Sequence, residues 1–312
     1  MEVGAHLPLV ELDGGRRTLA ELRGYADRAA RLGYRFLCGN DHLQFSRPWL
    51  DGLTALAATI DAAGDMTLAT TVCLPVIRGP VQTAKALAAL DVLSEGRLIA
   101  GVGPGSSARD YAAAGVPFDE RWARFDEAAQ ALRSLLARDA PPFTGRYYAT
   151  DGLRLEPHPV DPRGPPIWLA SWASPAGLRR AARLGDGWLA SGYNATPATF
   201  SRSLGELGAA LREARKAPEA FPNAVATMWL FVTERRGEAD RILDDVLAPL
   251  VNRPAAALRE LALPIGSREQ CAERLAAWHG AGAQRVFVWP LGDEARQLER
   301  FRDVLAASGV DG

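Results

Sequence analysis

Three short stretches of this chain hold most of the residues able to do chemistry. The run 101-GVGPGSSARD-110 alternates glycine with small residues directly after the apolar 97-RLIA-100. Glycines placed this way let a backbone approach a phosphate or a flat ring. A dinucleotide fingerprint needs G-x-G-x-x-G after the first strand of a βαβ unit. Here the spacing is G-x-G-x-G after the fourth candidate strand, although Asp126 lies far enough downstream to imitate the ribose-binding acid. Gly103, Pro104, Gly105 and Ser106 are therefore expected to line a cofactor cleft, with a plain turn into the next helix as the competing reading. The second stretch, 40-NDHL-43, carries His42, the best acid/base candidate because imidazole exchanges a proton near neutral pH. A structural Asp41–His42 turn is the alternative there. Of the remaining histidines, His6 falls in the first strand near the same end of the fold and is assigned to a substrate pocket. His158 lies in a proline-rich stretch and stays unassigned, and His279 lies in a helical pattern. The third stretch, 171-SWASPAG-177, offers hydroxyls and free N–H groups where a helix starts at Pro175. Ser174 there either meets an anion through the helix's orphan donors and dipole or simply caps the helix. Ser191 and Gly192 of 191-SGYN-194 add contacts, while Tyr193, Met228 and Trp289 are large groups near strand ends that suit a hydrophobic substrate wall.

The elements that must position these residues alternate along the chain. Short apolar runs at 3–10, 34–38, 66–74, 98–102, 167–170, 187–191, 225–232 and 285–289 read as strands. Most are nearly continuous rather than alternating, as parallel strands covered on both faces require. Helical patterns lie between them at 18–33, 80–96, 120–137, 175–185, 197–215 and 267–282, several with a starting proline or a closing glycine. Eight strands separated by helices predict a (β/α)8 TIM barrel in one domain over 1–312, with its active site at the C-terminal mouth of the strands. The Pro- and Gly-rich stretch 139–166 predicts an insertion between strands four and five.

Composition excludes several classes. A formal net charge of -1 gives no reason to expect nucleic acid or an acidic membrane as partner. No apolar run is long enough to span a bilayer, and the start lacks a signal-peptide pattern, so a cytoplasmic protein is expected. Cys38, Cys73 and Cys271 lie far apart without CxxC spacing, which argues against a metal site or a disulfide framework. The basic residues are almost all arginine, with Lys85 and Lys216 the only lysines.

The segment 69-ATTVCLPVIRGPVQTAKALAALDVLSEGRLIAGVGPGSSARD-110 resembles the luciferase-like family of flavin- and deazaflavin-dependent oxidoreductases. It shares that family's proline, arginine, Pro-started helix, "LDxLSxGR" turn and "GVGxG". Further matches are 165-PPIWLASWASPAGLRRAARLGDGWLASG-192, 3-VGAHLPL-9 and 40-NDHL-43, which together span nearly the whole chain. The resemblance implies a flavin-type ring across the barrel mouth. It also implies a non-prolyl cis peptide at Thr71–Val72 against the ring and an Asp41–His42 pair touching it. Ribityl and phosphate contacts would come from Trp172, Ala173 and Ser174. One departure stands out. Sugar-phosphate dehydrogenases of the deazaflavin branch carry a glutamate directly after the glycine loop, where this chain has Ser106; this puts sugar-phosphate oxidation in doubt.

The expected activity is thus hydride transfer between deazaflavin F420 and a small organic substrate, served by an F420 reductase system. The Asp41–His42 pair and the arginine- and alanine-rich composition favour that branch. The alternatives are an FMNH2-dependent monooxygenase fed by a separate flavin reductase, and a non-catalytic flavin-binding barrel. The resemblance also implies a homodimer. No metal is expected.

Overall fold

The computed structural model describes residues 1–12 and 14–310. Its strands are β1 (Glu2–His6), β2 (Phe36–Gly39), β3 (Thr67–Thr70), β4 (Leu98–Val102), β5 (Ile167–Ala170), β6 (Gly187–Ser191), β7 (Asn223–Val232), β8 (Ile265–Gly266) and β9 (Arg285–Pro290). Each of β1 to β7 pairs in parallel with the next, β7 pairs with β9, and β9 returns to β1. The two residues of β8 pair only with the far end of β7, so the closed barrel has eight staves with helices outside them, a (β/α)8 architecture. The staves are buried along nearly their whole length, which is why their sequences read as apolar runs rather than alternations. Phe36, Ile99, Trp168, Leu189 and Phe287 fill the barrel interior, interleaved with the small Ala69, Ala224 and Ala226.

The helices start where local chemistry predicts. Thr18 and Glu21 form a capping box on the helix Leu19–Arg31. Pro175 opens the helix Pro175–Leu184, whose cap Ser174 accepts from the Gly177 N–H at 3.1 Å.

Three strands depart from the sequence expectation, and each departure shapes the mouth. The run 3–10 stops being a stave at His6; beyond it, Val10 bridges Trp49 and Leu9 accepts from the Leu50 N–H at 3.0 Å. That detour brings Trp49 beside His42. The run 66–74 ends as a strand at Thr70, a cis Thr71–Val72 peptide follows, and Cys73 then bridges Val102. In β7 the register against β9 shifts between Val225 and Met228, with Thr227 left-handed at φ 56°. This is a bulge, and one extra residue reverses which side chains face inward.

The expected insertion is present: from 137 to 166 the chain has no helix or strand beyond an isolated Thr144–Ala149 bridge. It is pinned to the helix Arg121–Leu136 by the Glu127 carboxylate, which accepts from the N–H groups of Arg146, Tyr147 and Tyr148 at 2.9, 2.7 and 3.2 Å. A second excursion, which the strand pattern did not signal, fills 233–264. It carries short helices at Glu238–Arg241, Ala248–Val251 and Ala255–Arg259 and a π-helical turn at Ile242–Leu247. Among the described residues, no helix is long and apolar enough to cross a membrane.

Candidate active site

A cavity of about 450 Å³ opens at the C-terminal ends of β2 to β7, within the size range of small-molecule sites. Its inner end is formed by Asn40, Asp41 and His42 after β2, by Thr71 and Val72 after β3, and by Gly103, Pro104 and Gly105 after β4. The glycines answer a steric demand. A Cβ on Gly103 would meet Val72 Cγ2 at 2.9 Å, and Gly105 has φ 77°. Both are thus constrained by the wall they build.

His42 is oriented rather than free. Its Nδ1 lies 2.7 Å from Asp110 Oδ2, and Asp110 Oδ1 accepts from the Gln44 N–H at 2.7 Å. Asp110 is fully buried in the short helix Ala108–Ala113, which is capped by Ser107. An imidazole that donates from Nδ1 to a buried carboxylate keeps Nε2 for other business. Phe45 and Trp49 pack on the ring at 5.0 and 4.7 Å between centroids.

Asp41 lines the same wall with both carboxylate oxygens engaged by one guanidinium. Arg78 Nε donates to Oδ2 at 2.5 Å and Arg78 Nη2 to Oδ1 at 2.6 Å. Arg78 also binds Asp51, which caps the helix Gly52–Ala58. The group ties the loops after β2 and β3 together. Cys73 sits in the same loop, and burial pushes its thiol well above the usual range, so it holds no thiolate.

The more exposed outer end is made by Phe118, Arg121 and Trp122 and by Trp172 and Ser174; the buried Ser171 and the half-buried Ser191 and Tyr193 also line the cavity. Arg253, from the second excursion, donates to the Tyr193 carbonyl and to Asn194 Oδ1 and so holds the turn after β6. Ala226 and Thr227 complete the wall from β7.

Of the residues singled out in sequence, the cavity wall contains Asp41, His42, Thr71, Val72, Gly103, Pro104, Gly105, Ser106, Trp172, Ser174, Ser191 and Tyr193. Ala173 and Gly192 are neighbours of lining residues without being part of the wall, and Ala173 is left-handed at φ 62°. Met228, Trp289 and His6 lie outside it. The bulge at Thr227 turns Met228 onto Gly192 and presents Thr227 instead. His6 is only 1 % exposed and stacks on Trp289 at 3.5 Å, with Trp229 on Trp289 at 4.5 Å. Burial holds its pKa down to about 3, and its Nδ1 lies 2.8 Å from the Leu7 carbonyl. No residue of the 139–166 insertion reaches the cavity. Sequence reading missed Asp110, Arg78, Asn40, Arg121 and Thr227. Asp110 closes the quoted glycine stretch and follows its cap Ser107 by three residues, a helix-start signal that was available.

The comparisons with known proteins agree with this geometry. Residues 1–285 match the family described as luciferase-like monooxygenase, and the chain belongs to that family. It is similar to an F420-dependent hydroxymycolic acid dehydrogenase of Mycobacterium tuberculosis, 34% identical over 179 residues, 54% of this chain and 48% of that protein. An F420-dependent glucose-6-phosphate dehydrogenase of Intrasporangium calvum is 34% identical over 182 residues, 54% of this chain and 53% of that protein. The alignments thus span about half the length of these curated relatives. Among solved structures, an F420-dependent secondary alcohol dehydrogenase in complex with an F420–acetone adduct superposes with a TM-score of 0.84 at 19% identity, over 98% of each chain. At that identity the likeness shows the shared barrel fold.

Proposed function

We propose that this protein is an F420-dependent oxidoreductase that transfers a hydride to or from a small organic substrate at the mouth cavity. The observation that carries the reading is the His42–Asp110 pair set into a wall made by Thr71, Val72, Gly103 and Gly105. In this reading His42 handles protons beside a cavity kept open by missing side chains. The names of the relatives support F420 as the cofactor.

The residues present fit such a group. Among the described residues, Thr71 Oγ1 and Asn40 Oδ1 are buried in the cavity wall without a hydrogen-bond partner, a costly state that a polar ring edge would relieve. Thr71, Val72 and Gly103–Ser106 would hold the ring. Ser171, Trp172, Ser174 and Ser191 would meet the ribityl chain and phosphate. When bound, F420 supplies a two-electron hydride donor or acceptor.

His42 Nε2 takes the hydroxyl proton of a substrate alcohol, or returns it to a carbonyl oxygen, while Asp110 stabilises the resulting imidazolium. Ser106 has no acid to offer, so the proton work falls to His42. Asp41 acts through Arg78 as a positioning residue. Phe45 and Trp49 pack on His42 and limit water around it. Alcohols, imines and activated alkenes are the substrate classes that suit one general acid/base and a hydride. The same reading takes the chain as one luciferase-like domain, paired as a homodimer in the cytoplasm and supplied by an F420-reducing system.

A fluorescence titration with oxidised F420 and, separately, with FMN tests this. Binding of F420 alone supports it. Binding of FMN alone replaces it with an oxygen-using monooxygenase fed by a flavin reductase, and binding of neither removes the cofactor assignment.

A further inference from the structure

The cavity wall carries one arginine that no carboxylate claims. Three other arginines on this helix and the next are paired: Arg124 with Glu120 at 2.6 Å, Arg133 with Asp186 at 2.6 Å, and Arg180 with Asp126. Arg121, among the described residues, has no ion pair, and its guanidinium makes a single hydrogen bond, from Nη1 to the Phe118 carbonyl at 2.9 Å. The group is nonetheless held in place. It lies over the Phe118 ring at 4.0 Å and over Trp122 at 5.5 Å. Stacking of this kind fixes a planar fork while leaving its other N–H edges available.

Position matters as much as charge. Arg121 and Trp122 stand at the outer end of the cavity with Trp172, which is 58 % exposed, whereas Thr71 at the inner end is 5 % exposed. A ligand whose ring fills the inner end reaches solvent through a rim that includes Arg121.

We infer that Arg121 anchors the anionic tail of the cofactor, meeting the phosphodiester or the glutamate carboxylates that F420 carries beyond its ribityl chain. This rests on the F420 reading above and adds to it a residue that discriminates by tail. A guanidinium fork suits both oxyanions, and a charge-assisted bond at a half-exposed site is worth about 10-fold in affinity.

The test is a binding titration, independent of turnover, of the wild type and Arg121→Gln with three probes. These are the deazaflavin riboside without phosphate, F420 without glutamates, and F420 with several glutamates. The expected result is a loss of about 10-fold for phosphate-bearing F420 in the variant, with the riboside bound equally by both proteins. Added salt should narrow that gap, and Arg121→Lys should fall between. A loss with both forms of F420 assigns the phosphodiester, and a loss only with the glutamylated form assigns the carboxylates. Equal loss for riboside and F420 would mean that Arg121 merely packs the rim, and no loss would mean that the tail goes elsewhere; either overturns the inference. A wild type that binds the riboside as tightly as F420 also overturns it while leaving the ring site intact. Binding of none of the probes removes the F420 reading itself.

Discussion

Two histidines stand at the same end of this barrel and face opposite fates. His42 follows β2, keeps a fifth of its side chain exposed, and has a fully buried carboxylate 2.7 Å from Nδ1. His6 ends β1, is closed off at 1 % exposure, and has a carbonyl at Nδ1 and the Trp289 ring stacked on it. Trp49 connects the two regions, touching His42 on one side and Trp289, the ring under His6, on the other. What separates them is the partner. Burial against the Trp289 indole without a counter-charge keeps His6 neutral, whereas His42 has a carboxylate that orients its ring. Under the proposed reading the chemistry at the mouth falls to His42, and His6 lies outside the cavity wall.

The comparison breaks first if His42 is dispensable. His42→Ala should lower turnover by about 10³-fold, the scale of lost general acid/base catalysis, with little change in cofactor affinity. Unchanged steady-state rates would end its role.

His6 offers the next largest effect, in stability. Its folded pKa of about 3 lies below the unfolded value of 6.5, so the unfolded chain binds the extra proton between them. Its contribution is complete above about pH 6.5 and shrinks as the pH falls toward 3, by up to about 1.4 kcal/mol per pH unit. Urea unfolding at about pH 4.5 should find this site costing about 3 kcal/mol relative to neutral pH. His6→Phe, which keeps an aromatic ring for Trp289, should flatten that slope; an unaltered slope would show that His6 is not the buried neutral group described.

Asp110→Asn sharpens the other side. Without the carboxylate, His42 loses its orienting partner and turnover should drop by about 10²-fold. Combined with His42→Ala it should cost nothing more, because the two act as one unit. Additive losses would give Asp110 a role of its own.

The smallest effect lies at the bulge. Thr227 is a β-branched residue in the left-handed region, so Thr227→Gly should raise unfolding stability by about 0.5–1 kcal/mol, measured by denaturant titration. A loss instead would mean that the Thr227 side chain outweighs its backbone strain.

Much of the architecture was legible because it rests on local pattern. The apolar runs became staves within a few residues of their predicted ends, since burial on both faces leaves no polar alternation to misread. Ser174 and Pro175 start their helix as their chemistry requires. The short helices of 238–259 carried no comparable signal, because none is long enough to show a helical period.

By itself, then, the sequence determined the barrel, the place of the glycine wall and the presence of a histidine at the mouth, all consequences of neighbours in the chain. Tertiary structure alone decided which histidine meets a carboxylate, because His42 and Asp110 are 68 residues apart and come together only when β2 and β4 take their places around the barrel. It also decided that Asp41 is spent on Arg78, 37 residues on, and that one extra residue in β7 turns Met228 away from the cavity. Such pairings depend on stave order and register, which are set by the packing of the whole barrel and by no single segment of it.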